Sequence, residues 1–129
     1  YTRVLGSDFN ILTCENALKF KATESTGRGE FNFTHGDALV GFAAQHNMTV
    51  RGHNLIWIAH NPTWLAQQSK SMSAAELESI MEEHIAAVGA HYAGKVYSWD
   101  VVNEPVVDVP QVHKCFSWDC ALKGSAHAR

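Results

Sequence analysis

Strand-like and helix-like patterns alternate along this chain, and that order removes most architectures before any single residue is weighed. Three apolar stretches rich in β-forming residues cover 8–12, 49–57 and 96–102. Between the first two, Thr34 and Asp37 form a capping-box pattern that opens a helix with Leu39, Phe42 and Ala43 on one face. That pattern stops near Asn47. Between the last two, Ser73 and Glu76 repeat the signal ahead of a stripe of Leu77, Ile80, Met81, Ile85 and Val88, and Gly94 supplies the stop. Corresponding strand positions lie more than forty residues apart, which predicts parallel strands joined by right-handed crossovers. A doubly wound sheet and a closed (β/α) barrel both fit that order. No Gly-x-Gly-x-x-Gly or Walker loop follows any strand, so the nucleotide-binding sheet loses its main support. The barrel is the expected fold.

Composition narrows the function classes. The 129 residues are 46% apolar and 18% charged, enough to bury one modest core and too ordered a mixture for a disordered chain. A net charge of -3 is too mild to imply nucleic acid or a membrane surface as partner. No apolar run reaches the length of a membrane span, and no signal peptide is visible. The chain opens on Tyr1 rather than Met, as expected if an upstream segment were removed or never sequenced. Three cysteines form no framework: Cys14 is expected as a buried free thiol, with Cys115 and Cys120 as the pair that could bridge. Asn32-Phe33-Thr34 and Asn47-Met48-Thr49 are acceptor sequons that weakly favour secretion, whereas the proline of Asn61-Pro62-Thr63 rules that triplet out.

In barrels of parallel strands the chemistry lies at the carboxyl ends of the strands. Here the first strand runs into Glu15, Asn16 and Lys19. The second ends among Arg51, His53 and Trp57, and the third at Asn103 and Glu104. Arg51, His53, Leu55 and Trp57 share a parity, so alternation puts the polar members on one side of their strand. Polar groups for hydroxyls beside a flat aromatic surface for a pyranose face are what a sugar site needs. Taken singly, each residue has a plainer reading. A glutamate after a strand is usually solvated, and Trp57 alone would be core. Glu76, Glu78, Glu82, Glu83 and His84 read as the solvated face of the long helix, with His84 at its border. His60, His91, His113 and His127 have no metal-ligand spacing, so no metal or cofactor is expected.

The motifs outweigh those single readings. The run 51–57 followed by Pro62 and Trp64, the run 99–104 approached by 94–96, and the run 9–20 resemble three strand signatures of glycoside hydrolase family 10, in order and spacing. Gly29, 31–33, Asp37 and Ala38 also fit, and the resemblance covers about 5–106, leaving a divergent tail at 109–129. It implies an α/β chain forming a partial (β/α)8 TIM barrel, roughly the first four βα units, within one incomplete catalytic domain spanning 1–129. The implied activity is that of a secreted, extracellular endo-1,4-β-xylanase acting with retention on xylan or xylo-oligosaccharides. By the same resemblance Glu104 is the acid/base, Asn103 meets the 2-hydroxyl of the reacting sugar, and Glu15, Asn16 and Lys19 bind xylose hydroxyls. His53 and Trp57 line the subsite of cleavage, and Arg51 supports it from beneath. The nucleophile of the family lies on a seventh strand that is absent from this chain, so the chain alone is expected to be inactive. Two departures stand out. Ile58-Ala59-His60 replaces the usual His, small residue and Gln, and Pro105 is similar to the Asn-Glu-Pro of family 5 cellulases. A β-1,4-glucanase of the same superfamily and a non-catalytic carbohydrate-binding product are the alternatives. Asn103 and Glu104 are adjacent, so the strand must end or bulge there if both are to reach one sugar.

Overall fold

The computed structural model describes residues 1–105. In chain order the elements are α1 (Thr2–Asp8), β1 (Ile11–Thr13), α2 (Phe20–Thr23), α3 (Thr34–Gln45), β2 (Thr49–Ile56), α4 (Thr63–Gln68), α5 (Ala74–His91) and β3 (Ser98–Val102). The three strands form one parallel sheet in the order β1-β2-β3. Two crossovers, one carrying α2 and α3 and one carrying α4 and α5, join them. Ile11 lies opposite Thr49, Arg51 opposite Ser98, and His53 opposite Asp100. Pairing slips between His53 and Ile56, and beyond that slip Asn54, Leu55 and Ile56 are all buried, so strict alternation ends there.

The stretch 8–12 differs from its expected strand. Asp8 ends α1, where the Ser7 hydroxyl donates to Arg3 O at 2.8 Å, and the strand is confined to Ile11–Thr13. The reason is register: Thr49 N–H donates to Asn10 O at 2.9 Å, and β2 has no residue before Thr49 to pair with 8 and 9. A β-forming run without a partner does not become a strand.

The two helix starts behave differently. At α5 both halves of the box form: the Glu76 N–H donates to Ser73 Oγ at 3.3 Å and the Ser73 N–H to Glu76 Oε2 at 2.7 Å. At α3 the Thr34–Asp37 box is absent. Phe33 holds the cap position, the Thr34 N–H donates to Asn32 Oδ1 at 3.0 Å, and the Asp37 carboxylate accepts instead from His91 Nε2 at 2.7 Å. Asn47, at φ 54, follows the end of α3, and Gly94, at φ 72, follows α5, where a left-handed residue redirects the chain.

Leu77, Ile80, Met81 and Val88 of α5 pack with Leu12, Val50 and Ile56 of the sheet in one core. His84 corrects its expected place on the solvated face, because it is fully buried. Its ring stacks on Phe20 at 3.6 Å and its Nδ1 meets Glu24 Oε2 at 2.9 Å. Positions 77, 80, 84 and 88 follow the helical repeat, so the backbone carries residue 84 inward whatever its polarity. Glu24 is itself only 2% exposed, and its other oxygen accepts the Gly29 N–H at 2.6 Å. A buried carboxylate is tolerable only with such partners.

Candidate active site

An open cleft of 780 Å³ lies at the carboxyl ends of the three strands, bordered by Glu15 and Lys19, Arg51, His53 and Trp57, and Asn103. Parallel pairing explains its floor. Because His53 stands opposite Asp100, that carboxylate reaches across to both polar residues of β2. Arg51 donates through Nε at 3.0 Å and Nη2 at 2.6 Å to Asp100 Oδ1, and His53 Nδ1 lies 2.9 Å from Oδ2. The Arg51 hydrogen bond, with a smaller contribution from His53, holds the Asp100 carboxyl below the ordinary carboxylate range. The His53 carbonyl accepts from the Cys14 thiol at 3.7 Å. Cys14 is free and 4% exposed, as expected, and burial pushes its thiol up.

Trp57 joins the rim. Its indole N–H donates to Glu104 Oε2 at 2.8 Å, and Lys19 Nζ lies 4.8 Å from its ring centroid. His60 stacks on the same indole with centroids 4.7 Å apart and planes 17° apart. Partial burial first, then the charges of Lys19, Lys21 and His53, hold the His60 imidazole below its ordinary value. Lys19 is 6% exposed and donates to Asn16 Oδ1 at 3.0 Å. One aromatic ring thus gathers groups that follow all three strands.

The neighbours Asn103 and Glu104 resolve their parity conflict by an ending. β3 stops at Val102, the Asn103 N–H donates to Ile56 O at 2.9 Å, and Glu104 takes φ 50. That left-handed residue breaks the alternation of the strand, and its carboxylate meets Trp57 across the rim.

The family model of glycosyl hydrolase family 10 matches residues 1–123. This chain belongs to glycoside hydrolase family 10. It is 41% identical over 110 residues to endo-1,4-beta-xylanase C of Phanerodontia chrysosporium, covering 84% of this chain and 27% of that protein. Xylanase 10B from Thermotoga petrophila RKU-1, solved in complex with xylobiose, superposes with a TM-score of 0.84 at 36% identity, over 97% of this chain and 37% of that one. Penicillium canescens endo-1,4-beta-xylanase XylE gives 0.77 at 37% identity, over 83% and 31%. The chain therefore spans about a third of the length of the family members it matches.

The cleft is bordered by Glu15, Lys19, Arg51, His53, Trp57 and Asn103 from the strand ends that the motifs name, while Asn16 and Glu104 reach it through Lys19 and Trp57. Asp100 and His60 are the contributors that motif reading did not put there. Asp100 had a signal: parallel pairing at one constant offset, 51 with 98, sets an acid at 100 opposite His53. His60 had none, because a three-residue 3-10 turn, Ile58–His60, aims it back over Trp57. Among the described residues no group of three or more His, Cys, Asp or Glu is placed to hold a metal ion, and no helix is long and apolar enough to cross a membrane. Cys115 and Cys120 lie outside the described residues.

Proposed function

We propose that residues 1–105 form the acid/base side of an extracellular endo-1,4-β-xylanase, its three strands being successive staves of a (β/α)8 barrel. The hydrogen bond from Trp57 to Glu104 carries the reading, because it fixes a carboxyl beside an indole at the mouth of a cleft rich in hydroxyl-binding groups. In this reading Glu104 protonates the leaving glycosidic oxygen and then deprotonates water. Asn103 meets the 2-hydroxyl of the sugar being cleaved. Glu15, Asn16 and Lys19 bind hydroxyls of the neighbouring xylose, and Trp57 lines the subsite of cleavage with its ring held between neighbours. His53, held by Asp100, borders the bond that breaks, while Arg51 neutralises Asp100 from the floor.

Retention needs a second carboxylate about 5 Å from the acid/base, positioned to attack the anomeric carbon. Asp100 does not serve in this reading, because Arg51 and His53 occupy both its oxygens. The nucleophile therefore comes from a strand beyond the described residues, and the completed barrel is the catalyst.

The test grafts residues 1–105 in place of the matching segment of the Thermotoga petrophila xylanase. On xylan, Glu104→Gln should lower kcat/KM by about 10²- to 10⁴-fold, the usual worth of a positioned proton donor. Aryl xylosides with good leaving groups should lose far less in their first step. Equal losses on both substrates would remove the acid/base assignment. Hydrolysis of carboxymethylcellulose in preference to xylan would make the protein a β-1,4-glucanase instead.

A further inference from the structure

The cleft occupies the carboxyl ends of the strands. The opposite end of the sheet carries a motif that the cleft chemistry leaves unused. Asn47-Met48-Thr49 has the form required of an N-glycosylation acceptor. We propose that Asn47 is a glycosylation site, carrying an oligosaccharide on its side-chain amide nitrogen and pointing away from the cleft.

The geometry supports Asn47 in three ways. It is exposed, as are the three residues before it, and its φ of 54 turns it off the end of α3. Its backbone N–H is bonded to Ala44 O at 3.4 Å, whereas its carboxamide has no hydrogen-bond partner among the described residues. The next two residues are anchored: Met48 is 7% exposed, and the Thr49 hydroxyl donates to Asn10 O at 3.3 Å. A sugar at Nδ2 therefore leaves every described contact of the motif in place.

Position along the sheet adds a second argument. Asn47 precedes β2, the central strand, so chain that extended the sheet at its β1 or β3 edge would pair elsewhere. The length of β2, roughly 25 Å at strand rise, separates the motif from Trp57. The other sequon, 32–34, is folded differently. Asn32 Oδ1 accepts the Thr34 N–H at 3.0 Å, and Phe33 is stacked on His91 at 3.9 Å. A glycan there must share space with that aromatic stack.

The chemistry requires a lipid-linked diphospho-oligosaccharide donor. The Asn47 amide nitrogen bonds to the anomeric carbon of the donor. The bond from that carbon to the phosphate oxygen breaks, the lipid diphosphate leaves with the electron pair, and the amide proton is lost to base. Nothing in this inference depends on the xylanase reading, since it needs only entry into a compartment that holds the donor.

The experiment expresses the full 129-residue chain behind a cleavable secretory leader in a yeast. Gel mobility and peptide masses are read before and after enzymatic removal of N-glycans. Cell-associated and secreted chains are pooled, so poor folding does not hide the result. The expected outcome is a glycan-sized shift that Asn47→Gln and Thr49→Ala each abolish and Thr49→Ser retains. If Asn32 is modified as well, a separate shift should disappear with Asn32→Gln while the Asn47 shift persists. A chain with no shift, or one whose only shift survives Asn47→Gln, overturns the proposal.

Discussion

Asp100 supplies one carboxylate to two donors, and its state decides how His53 is held. Its folded pKa lies below the ordinary value because Arg51 hydrogen-bonds to it, so it releases its proton more readily folded than unfolded. The stability it contributes is full above about pH 4 and is lost as pH falls through its lower folded value. Urea midpoints measured from about pH 6 to about pH 3 should therefore fall less steeply in Asp100→Asn than in the parent. Identical slopes would mean that the Arg51–Asp100–His53 contacts do not form in solution. Glu24 and His84 form a contact in the core whose weight comes from burial. Removing the ring in His84→Ala strips a partner from a carboxylate that is 2% exposed. The expected cost is about 3–5 kcal/mol in denaturant unfolding, and a loss below about 1 kcal/mol would count against a charged pair. Glu104 and Asp100 differ in how readable they were. Both stand in the run 99–104, but the contacts of Asp100 with Arg51 and His53 follow from a register that only strand pairing reveals. The polarity of His84 points to solvent, while its place in the helical repeat carries it into the core.

At the level of elements, the ends of helices were less legible than their middles. Both α3 and α5 lie where their apolar patterns put them, yet only α5 starts with the box that its sequence announces. A capping box is a local arrangement that a better distant partner can dismantle, and His91 is that partner for Asp37. Ser73→Ala should consequently cost about 1 kcal/mol, while Thr34→Ala at the start of α3 should change stability by less than about half of that. Thermal or urea unfolding of the two variants decides it, and comparable losses would contradict the difference between the two caps. Strand limits were uncertain for a related reason. Asp8 and Asn10 are poor strand formers, and a strand also needs a neighbour in register, which the amino acids themselves do not record because they do not show where β2 begins.

For the molecule as a whole, the chain corresponds to about a third of the family members it matches, and among the described residues the sheet has β1 at one edge and β3 at the other. Parallel strands are normally covered on both faces and both edges. Here Ile11 and Val101 remain about half exposed, at 48% and 47%. A polypeptide of residues 1–129 should therefore associate as its concentration rises and release no reducing sugar from xylan. Light scattering and a reducing-sugar assay with a Glu104→Ala control test both parts. Turnover by the monomer that the control abolishes would require a nucleophile within these residues. The fold class was readable because alternation of strand and helix is a long-range pattern that single substitutions barely disturb. The linkage of the rim through Trp57 was not, since it depends on three loops converging in space.

That convergence on Trp57 also gives the site an optical voice. Indole emission responds to a cation lying over the ring, to an imidazole stacked on it, and to the acceptor that takes its N–H. Trp57 has all three, from Lys19, His60 and Glu104. Its fluorescence should therefore respond to any change in those three contacts without an added label, and the difference spectrum against Trp57→Phe isolates that signal from the other three tryptophans.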